Sequence, residues 1–294
     1  MITFFGASIT VQNKGYANVL SNKYFVNDKC KIFGFGGMHL NDAGIAYIHI
    51  VLEKKPKLCF IDWFSTGLLL NKYDDIKIYL DTLVFALSDI KCKIVFLFMP
   101  NKNHDVRKNY YGICKKYLIN NKLSYIDLTE AIQYNPKYIR DNCHTTDEGG
   151  IAYAKYIYEE FKKIENNIII PQNSVPTKYN NIKYITVNQT FEDSFILEGK
   201  CEIVGFNIDV GPHSGLVQVN DGNIVKEFNF WEQWCYYTRR TLRFRYNIEN
   251  CIKITILQDN FDTSKCQKQF DFSGYKKELK IYDIYFIGDK LSIK

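Results

Sequence analysis

Three side chains in this sequence have the types and order needed to turn a hydroxyl into a nucleophile: Ser8, Asp141 and His144. A serine hydroxyl attacks poorly until a base takes its proton and donors stabilise the oxyanion that its attack creates. Ser8 ends the apolar run Ile2-Thr3-Phe4-Phe5-Gly6-Ala7, where a buried strand would break into a turn. Asp141 and His144 share the stretch Asp141-Asn142-Cys143-His144. At that spacing one loop can fold the carboxylate onto one ring nitrogen and leave the other for the hydroxyl. Thr146 and Asp147 follow as good helix caps, which would set the loop's geometry. Asp127 also closes a predicted strand, but its spacing from His144 favours Asp141 as the acid.

For these residues to meet, the chain between them must return to one edge of one structure. Short apolar runs alternate with longer amphipathic ones over the first half, the pattern of βα units around a parallel sheet. Predicted strands run from Ile2 to Ala7, Lys31 to Phe35, Leu58 to Trp63, Ile94 to Met99 and Ser124 to Leu128. Predicted helices lie near Gly15 to Lys23, Asn41 to Lys54, Asp74 to Ser88 and Val106 to Asn120. In a last helix, Ile151, Ala154, Ile157, Tyr158, Phe161 and Ile164 share a face at helical spacing. The expected fold is α/β, a flavodoxin-like five-stranded parallel sheet whose ligand site lies beyond the C-terminal ends of the strands. Ser8 follows the first strand and the Asp141/His144 loop follows the fifth, so both belong at that edge.

The chain changes character after residue 167. The stretch 165–178, with Pro171 and Pro176 and no helical period, is expected to be a linker. From residue 179 to 294, β-branched and aromatic runs alternate with turn signals such as Asn220-Asp221-Gly222-Asn223 and Ser273-Gly274. About eight strands at this spacing predict a C-terminal antiparallel β-sandwich of jelly-roll type. The expected domains are thus 1–167 and 179–294.

Composition narrows the function classes. Hydrophobic residues at 46% and charged residues at 24% place the chain among globular proteins. The formal net charge of +6 is spread over both halves, so no nucleic-acid footprint and no nucleic-acid partner are expected. Nine cysteines, an odd number without CxxC pairs or Cys/His ligand spacing, predict free thiols and no metal site. No run approaches the roughly 18 apolar residues of a membrane span. The first predicted strand starts at Ile2, which leaves no room for a leader, and a cytoplasmic location is expected. The 22 Tyr and 21 Phe fit a β-rich half, a surface that stacks on sugars, or simply a codon bias.

Gly6-Ala7-Ser8-Ile9-Thr10, Gly34-Phe35-Gly36-Gly37 after the second strand, and Asp141-x-x-His144 before the last helix resemble the SGNH (GDSL-like) hydrolase family. The run DNCHTTDEGGIAYA is similar to that family's final block. The resemblance covers roughly the first half of the chain. It implies Ser8 as nucleophile, His144 as base and then acid, and Asp141 as the residue that orients His144. It also implies an oxyanion hole formed by the backbone N–H groups of Ser8 and Gly37, and no cofactor. After the third strand the family carries Gly-x-Asn-Asp, whose Asn is a third oxyanion donor. Here the chain reads Asp62-Trp63-Phe64-Ser65-Thr66-Gly67, with Phe64 in place of the glycine and Thr66 in place of the asparagine. Thr66 and Ser65 are the candidate replacement donors, with Trp63 and His39 as candidate contacts to substrate. His49, His104 and His213 carry no role in this scheme.

The resemblance leaves three functions open. The first is a serine esterase that removes a small acyl group, acetyl, from a carbohydrate. The second is an O-acetyltransferase acting on a bacterial surface glycan, and the third is a glycan-binding protein with a degenerate SGNH domain. In the second half, Phe230-Trp231-Glu232-Gln233-Trp234-Cys235-Tyr236-Tyr237 with Arg239-Arg240 is the densest aromatic cluster. Most of it is expected to face the sandwich core, with one or two rings at the surface.

Overall fold

The computed structural model describes residues 1–66, 73–102, 104–132, 135–172, 174–258 and 266–294, without the side chains of residues 104–107. It divides into two compact units, Met1–Asn180 and Asn181–Lys294.

The first unit holds a five-stranded parallel sheet: β1 (Ile2–Ala7), β2 (Cys30–Phe35), β3 (Leu58–Asp62), β4 (Lys93–Phe98) and β5 (Ser124–Asp127), in the order β2-β1-β3-β4-β5. This is the flavodoxin-like order expected from the sequence. All residues of β1 and β3 are buried, as they must be when both faces of a parallel sheet are covered. Alternate residues then serve opposite faces. Phe4 stacks on Phe60 at 5.2 Å on one side, while Phe5 meets Trp63 edge-on at 5.1 Å on the other. Each such fully buried ring contributes on the order of 1.5 to 3 kcal/mol through apolar burial.

The connections are less regular than the sequence predicts. Ser8 opens a single turn, α1 (Ser8–Val11), and the predicted helix after Gly15 is split into α2 (Tyr16–Val19) and a π-turn over Leu20–Tyr24. The single helix expected from Asn41 to Lys54 is instead a π-turn, Leu40–Gly44, followed by α3 (Ile48–Leu52). The Asp42 carboxylate accepts from the N–H groups of both His39 and Ala43, which favours a capped turn over a continuous helix. The longer helices α4 (Tyr73–Asp89) and α5 (His104–Asn120) follow β3 and β4, and the short α6 (Leu128–Ala131) follows β5.

Helix α7 (Asp147–Ile164) closes the unit and packs Tyr153, Ala154, Ile157 and Phe161 into the same core as Phe4 and Phe60. Ile151, assigned to that face by spacing, is instead 50% exposed, because the buried stripe is centred on Tyr153 and Ala154.

The second unit is antiparallel throughout its pairings. Its strands are β6 (Lys183–Phe191), β7 (Ser194–Val210), β8 (Leu216–Asn220), β9 (Val225–Asn229), β10 (Arg239–Arg243), β11 (Tyr246–Ile248), β12 (Cys251–Ile256) and β13 (Leu279–Ile293). They form one eight-stranded network of order β6-β13-β7-β12-β8-β9, with β10 and β11 also paired to the long β7. In β12, Ile252, Ile254 and Ile256 point into the core while Cys251 and Lys253 face out, the alternation of a sheet with one wet side. The arrangement fits a β-sandwich.

Candidate active site

The parallel register sets where the chemistry can sit. Ala7 pairs with Phe35, so Ser8 and Gly36 leave neighbouring strands side by side at the C-terminal edge of the sheet. A methyl placed on Gly36 would stand 3.9 Å from the Ser8 Cβ. Gly37, the next residue, is exposed and has φ 66°, a left-handed conformation that glycine adopts without a Cβ penalty.

Beneath the Ser8 turn, the Thr10 hydroxyl donates to the fully buried Asp62 carboxylate at 3.2 Å and shares a hydrogen bond with the Tyr16 hydroxyl at 3.1 Å. Burial first, and the Asp62 charge second, push the Tyr16 phenol well above its ordinary pKa, so it stays protonated. These three residues hold α1 to the end of β3. Spacing arguments did not single them out, since their polar groups are brought together only by strand pairing.

On the other side of Ser8, the loop before α7 is a tight hairpin. An isolated bridge joins Ile139 to Thr145, with Arg140 N–H donating to His144 C=O at 2.9 Å and Thr146 N–H to Tyr138 C=O at 2.9 Å. The Thr146 hydroxyl caps α7 by accepting from Gly149 N–H at 3.0 Å. Within the hairpin, Asp141 Oδ1 accepts from the backbone N–H of Cys143 at 3.0 Å and of His144 at 2.9 Å. The same carboxylate meets His144 Nδ1 at 2.9 Å through Oδ2. His144 Nε2 then lies 2.8 Å from Ser8 Oγ. Ser8, His144 and Asp141, drawn from opposite ends of the unit, are therefore in one hydrogen-bonded line.

Electrostatics fit that line. Burial raises the Asp141 pKa, but the two backbone N–H donors and the imidazole together outweigh it and hold the carboxyl below its ordinary range. An ionised Asp141 selects the tautomer in which Nδ1 carries the proton, leaving Nε2 as the acceptor facing Ser8 Oγ–H. Among the described residues, one group of metal-type ligands converges, Asp141, Cys143 and His144, with ligand atoms within 4.8 Å of one another. Both imidazole nitrogens are already engaged there, Nδ1 by Asp141 and Nε2 by Ser8.

Solved esterase structures resemble this chain. One is the acetyl xylan esterase AlAXEase, at 21% identity and a TM-score of 0.45, covering 54% of this chain and 98% of that one. Another is the psychrotrophic esterase EstA from Pseudoalteromonas sp., in a structure inhibited by monoethylphosphonate, at 15% identity and a TM-score of 0.48, covering 56% of this chain and 98% of that one. A third is a catalytic mutant of Axe2, an acetylxylan esterase from Geobacillus stearothermophilus, at 15% identity and a TM-score of 0.45, covering 54% and 92%. No family model and no curated protein matches the sequence.

The block after β3 is packed differently. Trp63 is fully buried against Phe5 and Phe35, and a methyl on Gly44 would stand 3.5 Å from its indole nitrogen, so the ring is core and does not line an open pocket. Phe64 is fully buried as well, stacked on Phe98 at 4.6 Å, and Ser65 is 1% exposed. Thr66 is half-buried, and its hydroxyl makes a long 3.4 Å bond to the Trp63 carbonyl. His39 is half-buried at the start of the Leu40–Gly44 turn, where its N–H donates to Asp42. No hydrogen bond links these residues to Ser8 among those described. Asp127 is a helix cap, accepting from Thr129 N–H at 2.8 Å. Among the described residues, no helix is long and apolar enough to cross a membrane.

In the second unit, Phe230 and Trp231 are buried in the core, whereas Trp234 and Tyr237 are 40% and 46% exposed. Arg239 and Arg243 are both held by Glu232, and the Arg240 guanidinium lies over the Tyr282 ring at 3.5 Å. These charges support the sheet locally.

Proposed function

We propose that the protein is a serine-dependent ester hydrolase that removes a small acyl group, acetyl, from a carbohydrate. The observation that carries the chemistry is the line from Asp141 through His144 to Ser8, at 2.9 and 2.8 Å. The acetyl group and the sugar are supported by the resemblance to SGNH hydrolases and by the appended β-sandwich, not by a particular residue.

In this scheme Ser8 Oγ attacks the ester carbonyl carbon while its proton passes to His144 Nε2, and the carbonyl electrons move onto oxygen. The resulting imidazolium is stabilised by the Asp141 carboxylate. The oxyanion accepts from the backbone N–H groups of Ser8 and Gly37, which leave adjacent strands at one edge, and from the Thr66 hydroxyl. Each well-placed donor of this kind is worth about 2.7 to 4 kcal/mol in the transition state. The intermediate collapses by expelling the sugar oxygen, which takes the proton from His144. Water, activated by the same imidazole, then hydrolyses the acyl-serine and restores the site.

The test is intact-protein mass after treatment with a fluorophosphonate, with Ser8→Ala as control, alongside acetate release from an acetylated sugar. One phosphonyl adduct on the wild type, none on Ser8→Ala, and acetate release without an added acceptor are expected. Labelling that persists in Ser8→Ala would remove Ser8 as nucleophile. Acetate transfer that requires a sugar acceptor would make the protein a transferase.

A further inference from the structure

The hairpin that carries His144 has one edge that its own backbone does not satisfy. Across the Ile139–Thr145 bridge, the cross-strand bonds are made by Arg140, His144, Thr146 and Tyr138, not by Thr145. The N–H and C=O of Thr145 therefore face away from the hairpin, and Thr145 is 1% exposed. Buried peptide groups without partners cost about 1 to 3 kcal/mol each. Both are met by a single side chain, Gln12. Its Nε2 donates to Thr145 C=O at 2.6 Å, and its Oε1 accepts from Thr145 N–H at 3.0 Å.

Gln12 thus stands in for a neighbouring β-strand's peptide group. A planar amide offers a donor and an acceptor side by side in this way, and the reversed amide would set donor against donor. Gln12 is itself fixed. It ends the turn that Ser8 begins, and its own C=O accepts from Gly15 N–H at 2.9 Å and from Asn18 Nδ2 at 2.9 Å. The residue after the base is therefore clamped to the residue that closes the nucleophile turn.

We propose that Gln12 is a positioning residue that sets the His144 Nε2 to Ser8 Oγ distance by pinning the Thr145 peptide to α1. The proposal rests on the serine-hydrolase reading, because it concerns the alignment of that base and that nucleophile. Besides the clamp and the His144–Ser8 hydrogen bond, the polar link beside this seam is the Lys14–Asp147 ion pair at 2.8 Å, which is exposed and weak. A shift of about 1 Å between reacting groups costs on the order of 100-fold in rate.

The readout is the rate of Ser8 phosphonylation by a fluorophosphonate, followed by intact mass, as a function of probe concentration. Gln12→Met keeps the volume and removes both hydrogen bonds. Its maximal labelling rate is expected to fall about 10- to 100-fold with little change in the half-saturating probe concentration. Gln12→Glu separates alignment from general loss of structure, because the same protein is compared with itself. A neutral carboxyl donates and accepts as the amide does, whereas a carboxylate only accepts and faces the Thr145 C=O.

Relative to wild type at each pH, Gln12→Glu labelling should rise about 10-fold from pH 8 to pH 5, toward the carboxyl pKa of about 4.3. The charged groups around this seam, Lys14, Asp147, Arg140, Asp141 and His144, are common to both proteins, so the ratio removes the titration that the two share. A thermal melt at each pH accompanies the rates. Wild-type labelling rates in Gln12→Met, or a flat Gln12→Glu ratio, would overturn the clamp. A wild type that fails to label would instead sink the hydrolase reading, and the clamp with it.

Discussion

Two regions at the same edge of the parallel sheet have opposite characters. The turn after β1 and the hairpin before α7 keep Ser8, Asp141 and His144 partly open to water and aimed at one another, ending in the Ser8–His144 hydrogen bond at 2.8 Å. The block after β3 turns inward, with Trp63 and Phe64 fully buried and Ser65 nearly so. In the SGNH pattern that block supplies a glycine and an asparagine at the oxyanion. Here Trp63 and Phe64 add to the core and Thr66 stands at the asparagine position. The contrast shows that one strand end can hold a hydrogen-bonded line of polar side chains while the adjoining one is given over to packing.

Substitutions in the two regions should have opposite effects. The largest effect belongs to the relay: His144→Ala should lower acetate release from an acetylated sugar by at least about 1,000-fold, with the thermal melt nearly unchanged. A comparable loss of stability with retained turnover would move His144 from the chemistry to the scaffold. Phe64→Ala should do the opposite, costing about 3 to 5 kcal/mol in denaturant unfolding because it opens a cavity beside Phe96 and Phe98.

Thr66→Ala comes next. If its hydroxyl serves the oxyanion, the maximal rate should drop about 10-fold with KM little changed, less than for a rigid donor because its bond to Trp63 is long. An unchanged maximal rate would assign the oxyanion to Ser8 and Gly37 alone.

The smallest effect is electrostatic. Asp141 has its pKa depressed in the folded state, so its contribution to stability is complete above the unfolded carboxyl value of about 3.9 and is lost as pH falls through the lower folded value. Its side chain is 48% exposed, so solvent screens this contribution. In urea unfolding, the stability gap between wild type and Asp141→Asn should therefore be small at pH 7 and close below about pH 4. A gap that widens in acid would contradict the depressed pKa.

Much of the first unit was legible because its signals are local. Buried parallel strands read as continuous apolar runs, and β1 to β5 fall within a residue or so of their predicted limits at each end. Asp141 and His144 are three residues apart on a capped loop, so their pairing could be argued from the chain itself. The irregular connections were harder. The Leu40–Gly44 turn replaces a predicted helix because Asp42 satisfies backbone N–H groups that a helix would use. That competition turns on side-chain geometry, which periodicity does not capture.

The βα alternation, the change to antiparallel strands in the second unit, and the choice of Ser8, Asp141 and His144 as candidates could all be read from the chain alone. Those follow from period, composition and short-range spacing. Tertiary structure alone decided that Trp63 belongs to the core, that Thr10, Tyr16 and Asp62 brace the nucleophile turn, and that Gln12 pairs with the Thr145 peptide. These contacts join residues from separate strands, turns and loops. Their energies depend on burial and on hydrogen-bond angles that exist only once the sheet has brought its C-terminal edge together.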